Sequence, residues 1–94
     1  MNTSIFKIDE SKVNYHNNGE YSNKFNKLIA DSIISYGIEG IYSLHIMYIK
    51  KFDEFMIVIK STLDRFDRYK QEMKVQQYLN SLFPFEFTTL VLEK

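Results

Sequence analysis

The chain has 94 residues, room for one domain and one core. Hydrophobic residues make up 45% and charged residues 26%, the proportions of a folded globular protein and not of a disordered tail. Twelve Lys and Arg balance twelve Asp and Glu, which argues against a polyanion binder, whose affinity rests on excess positive charge.

No cysteine is present, which excludes disulfides, thiolate metal sites and thiol nucleophiles. The chain must fold on packing alone, as suits a reducing cytoplasm. No apolar run approaches the about 18 residues of a membrane span. Met1-Asn2-Thr3-Ser4 lacks the basic start and apolar stretch of a signal peptide. The expected location is the cytoplasm, with no membrane partner. Eight Phe and seven Tyr bury large areas with few rotors, which helps a small core.

In chain order, Ile5, Phe6 and Ile8 suggest a short strand. Asp9 to Tyr21 is polar and holds the turn signal Asn18-Gly19, so it reads as a loop or arm. Residues 1–21 are thus an N-terminal strand and arm, and 22–94 a single domain. Ser22 fits a helix N-cap. Phe25, Leu28, Ile29, Ile33 and Tyr36 follow at three- and four-residue spacing and predict a helix with that stripe buried. Gly37 closes it. Ile41–Lys50 and Phe55–Lys60 are rich in β-branched and aromatic residues, and the short link between them predicts a hairpin. A second helix is expected from Ser61 or Thr62, with Asp64 and Asp67 at its positive start and Leu63, Phe66, Tyr69, Met73, Leu79 and Leu82 as its apolar stripe. Pro84 stops it, and Phe85–Leu92 is a final strand. The order (β)αββαβ predicts an α+β, ferredoxin-like two-layer sandwich: an antiparallel sheet with two helices on one face.

The chain shows little chemistry. His16 and His45 lie in different elements and share no ligand spacing. His16 reads as solvated, His45 as a core or interface residue. There is no G-x-S-x-G elbow and no Gly-rich phosphate loop. The paired carboxylates Asp9-Glu10 and Asp53-Glu54 fall in loops, where they are solvated, whereas general acid catalysis needs a desolvated group. No catalytic residue, metal ligand or cofactor is assigned, and enzyme activity is not expected. The strand aromatics Tyr42, Tyr48 and Phe55, with Lys50, Lys51 and Lys60 nearby, invite comparison with RNA-recognition domains, but the glycine-containing signature of those strands is absent. Nucleic acid is not the expected partner.

Gly-Ile-Tyr-Ser-Leu at Gly40 to Leu44, Leu-Phe-Pro at Leu82 to Pro84 and Leu-Val-Leu-Glu at Leu90 to Glu93 lie on an α-β-β-α-β order. In these features residues 38–93 resemble the cytoplasmic C-terminal domain of cation diffusion facilitator transporters. The resemblance implies the fold and dimerisation. It does not carry over that family's regulatory metal site: Tyr42 stands where the first strand commonly opens with histidine, and the closing strand has none.

The two middle strands are apolar on both faces, although one face of a two-layer sandwich meets water and should be polar. With Phe55, Ile57 and Ile59 turned to the helices, the other side of that strand reads Glu54, Met56, Val58, Lys60, charged only at its ends, and His45, Met47, Met56, Val58 and Leu90 fall on the outer face. Methionine adapts to varied surfaces, and a contiguous apolar patch marks an interface. The expected function is a small non-enzymatic protein-binding module (inhibitor, adaptor or immunity-type protein) engaging a protein partner or a second copy through that face; the plainer reading of the same face is that the N-terminal arm, residues 1–21, folds over it. The Asn-, Ile-, Lys- and Tyr-rich usage is compatible with a phage or mobile-element gene. The alternative is a ligand- or metal-responsive dimeric regulatory domain.

Overall fold

In the computed structural model, residues 10–16, 23–38 and 40–94 are described. A 3-10 turn, Glu10–Lys12, leads into β1 (Val13–His16). Then come α1 (Asn23–Tyr36), β2 (Ile41–Ile49), β3 (Glu54–Ser61), α2 (Arg65–Leu82) and β4 (Glu86–Glu93). The expected strand at Ile5–Ile8, the Asn18-Gly19 turn and the Ser22 cap lie outside the described residues. The polar stretch expected to be a loop contains β1.

The protein is α+β, but its sheet is mixed. The strand order is β1-β2-β3-β4. β1 and β2 are parallel, β2 and β3 antiparallel, β3 and β4 parallel. This corrects the expected antiparallel, ferredoxin-like sheet, which would put β1 in the interior and β2 at an edge. The physical reason lies in the strands themselves. β1 has four residues, two of them Asn14 and His16, and suits an edge, where a strand is half solvated. β2 and β3 have nine and eight residues, apolar on both faces, and take the two central places.

Leu44, Ile46 and Tyr48 of β2 stand opposite Ile59, Ile57 and Phe55 of β3, and Phe87 and Val91 of β4 continue the rows. All are buried and form the core with Ile29, Ala30 and Ile33 of α1, Ile38, and Val75 and Leu79 of α2. Phe25 of α1 packs 5.9 Å from Phe55 and 6.0 Å from Phe83. Tyr36 and Tyr78 join the two helices at 4.7 Å. Both helices therefore meet the inner face of the sheet.

Each helix buries only part of its expected stripe: Phe25, Ile29 and Ile33 of α1 and Leu79 of α2 meet the core, and the rest of each helix's stripe turns outward. On α1, Ile29, Ala30 and Ile33 are buried but Leu28 is 52% exposed. On α2, Phe66, Tyr69, Met73 and Leu82 are exposed and the buried residues are Val75 and Leu79. The expected Ser61 cap is also displaced: Ser61 ends β3, and Asp64 is the N-cap, its Oδ1 accepting from Asp67 N at 2.9 Å. Gly37 closes α1 at φ +87°. Gly40, at φ +69°, lets Thr62 N reach its carbonyl at 2.8 Å; a Cβ there would meet Thr62 Oγ1 at 2.8 Å.

The position of α2 is set by polar groups. Glu72, Gln76 and Asn80 form an i, i+4, i+8 row along it. Glu72 Oε2 accepts from Val91 N, Gln76 Oε1 from Thr89 N and Asn80 Oδ1 from Phe87 N, each at 2.9 Å. Four helical residues advance about 6 Å and two strand residues about 6.6 Å, so the two repeats stay in step over three rungs. The outward N–H groups of edge strand β4 are thereby satisfied by side chains. An edge so occupied does not offer these donors to another strand.

Candidate interface on the outer sheet face

The ladder register brings the five sequence-selected residues together. His45 pairs with Val58, and Val58 with Leu90; Met47 pairs with Met56, and Met56 with Thr88. Strand neighbours share a face, and the inward set is the buried one above, so these two rows lie on the outer face. His45, Met47, Met56 and Val58 are part-buried between their strand neighbours, and Leu90 is 37% exposed. The described parts of both helices lie on the other side.

One row further on, the face turns basic. Ile41 pairs with Ser61 and Ser43 with Lys60, so Tyr42 is an extra residue in β2, a β-bulge. The bulge takes Tyr42 out of step with Leu44, Ile46 and Tyr48, with which simple alternation groups it. The Lys12 ammonium sits 3.7 Å above the Tyr42 ring, and that of Lys94 4.8 Å away. The hydrogen bond with Lys12 and its positive charge, with lesser contributions from Lys94 and Lys60, hold the Tyr42 phenol below the usual tyrosine range. Leu92, paired with Lys60, completes this row.

At the opposite end the face turns acidic. Ile49 pairs with Glu54, and Glu54 with Glu86. Both glutamates precede inward phenylalanines, Phe55 and Phe87, and so point outward. Beyond them, the turn at Lys50–Asp53 is tied to the core by the Tyr48 hydroxyl, which donates to Asp53 Oδ1. The outer face therefore runs from a lysine end through an apolar middle to a glutamate end. Sequence reading found the middle. It also found Glu54 and Lys60 at the two ends of the outward side of β3, but missed Tyr42, Lys12 and Lys94, because the bulge that aims Tyr42 brings together the turn before β1, β2 and the residue after β4.

Other surfaces show less. Among the described residues there is no group of three or more His, Asp or Glu placed to hold a metal. No helix among them is long and apolar enough to cross a membrane. A groove between the β3–α2 connection and the end of β4 is lined by Thr62, Asp64, Arg68 and Lys94. Arg68 there is engaged, Nη1 donating to Leu63 O at 2.9 Å.

Comparison with known proteins gives no match: no family model, no curated protein and no solved structure is significantly similar to the chain. The resemblance to the cation diffusion facilitator domain rests on the residues quoted for it alone.

Proposed function

We propose that this protein is a cytoplasmic protein-binding module that works by covering a partner's surface and not by chemistry, as a small inhibitor, adaptor or immunity-type protein does. One observation carries the reading: Met47, Met56, Val58 and Leu90, adjacent in the ladder and flanked by His45 and Thr88, make an apolar centre on the sheet face opposite the helices. A face that only met water would alternate to polar residues there. Methionine side chains, flexible and polarisable, suit such a surface. The charged ends supply a rim, the arrangement of an apolar interface core with polar surroundings.

The test is photo-crosslinking in the native host. A photo-reactive side chain replaces Val58 on the outer face or, as control, Gln77 on the exposed side of α2. The expected result is a discrete protein adduct at position 58 and none at 77. Absence of any protein adduct at 58, or equal adducts at both positions, overturns the reading.

A further inference from the structure

We propose that the occupant of the outer face is a second copy of this chain, packed with its strands running antiparallel to the first. This names the partner for the reading above and rests on it. The argument is charge complementarity of the face with itself. On β3 the outward residues are Glu54, Met56, Val58 and Lys60. The sequence of charges is antisymmetric about the level of Ile57: acid, apolar, apolar, base. A two-fold axis lying between two such sheets, across the strands at that level, sets each strand over its own copy in reverse. Val58 then faces Met56 of the partner subunit, and Lys60 faces Glu54 of the partner subunit, twice by symmetry.

The neighbouring strands obey the same rule. His45 comes over Met47 of the partner subunit and Leu90 over Thr88 of the partner subunit, so the apolar rows meet each other. The Tyr42, Lys12 and Lys94 end comes over the Glu54 and Glu86 end. Lys60 and Glu54 lie about 20 Å apart along one strand, too far to pair within a chain but placed to pair between two. The alternative two-fold, along the strands, would set Lys60 over Lys60 and Glu54 over Glu54. Repulsion selects against it. Face-to-face sheets pack with strands aligned to within about 30°, so the central strands β2 and β3 keep this register best.

The experiment is sedimentation equilibrium of the purified chain, with circular dichroism confirming the fold of each variant. Wild type is expected to show a reversible monomer–dimer equilibrium at micromolar concentration, weakened by salt. Lys60→Glu and Glu54→Lys should each weaken the dimer by about tenfold or more, through two like-charge contacts. The double variant should recover it. An equimolar mixture of the two folded single variants should also dimerise, since both contacts in the mixed pair become attractive. A wild type that stays monomeric up to several hundred micromolar overturns the proposal, and so does failure of both the double variant and the mixture to recover association. A monomeric wild type with a protein adduct at position 58 in the host removes the second copy as occupant and leaves the protein-binding reading standing. No adduct at 58 removes both.

Discussion

Asn26 is fully buried in α1, and neither its Nδ2 nor its Oδ1 has a hydrogen-bond partner among the described residues. A buried polar group without a partner loses its water and gains nothing in return. Asn26→Leu, close in volume, should therefore raise stability by about 1–2 kcal/mol in urea unfolding; a loss would show that the amide is satisfied. Leu28, two residues on, carries the opposite lesson. Its 52% exposure means that Leu28→Ala should cost under about 1 kcal/mol, whereas Ile33→Ala, at a fully buried site, should cost about 2–5 kcal/mol. Tyr42 makes a third residue-level prediction. The lysines favour its phenolate, so in an ultraviolet titration it should ionise below the usual tyrosine range, and Lys12→Gln should move that step upward.

At the scale of elements, α2 is held to β4 by Glu72, Gln76 and Asn80, and to the core by Val75 and Leu79. Gln76→Leu removes the middle rung and leaves the part-buried Thr89 N–H without its acceptor. The expected cost is about 1–3 kcal/mol by denaturant midpoint, with faster amide exchange at Thr89 than at its β3-bonded neighbours. Phe66→Ser, on the same helix but 68% exposed, should change stability by about 0.5 kcal/mol or less. The contrast explains why the helix has so little apolar asymmetry: polar side chains do part of its docking. The sequence shows the i, i+4 spacing of Glu72, Gln76 and Asn80. Nothing local says that a strand edge lies under them, and the same spacing is found on any solvated helix.

For the molecule as a whole, the outer face is the open question of physical chemistry, because it is apolar where a two-layer fold allows water. Val58→Glu places a charge in the middle of it. Since Val58 is part-buried among strand neighbours and outside the inner core, the variant should keep its circular dichroism spectrum and melt cooperatively, while the proposed association should be lost. Unfolding of the variant would mean that Val58 is core and the two faces are exchanged.

The chain's own pattern determined the number and kind of the later elements: α1, the β2–β3 hairpin, α2 and β4 lie close to their expected spans. It also determined which residues of β2, β3 and β4 share the outer face, because alternation is a local property of an extended chain. β1 was missed because four residues with two polar side chains make too short an alternation to stand out. Tertiary structure alone decided the pairing order, since the same βαββαβ string serves both a mixed 1-2-3-4 sheet and an interleaved antiparallel one. It likewise decided the rotation of each helix. A stripe such as Phe25, Leu28, Ile29 and Ile33 is wider than the contact it makes, and packing against Phe55 and Phe83 selects which edge of it is buried. The charged ends of the outer face divide between the two: Glu54 and Lys60 close the outward side of β3 in the alternation itself, whereas Glu86, the bulged Tyr42, Lys12 and Lys94 join them only when segments distant in sequence are set side by side.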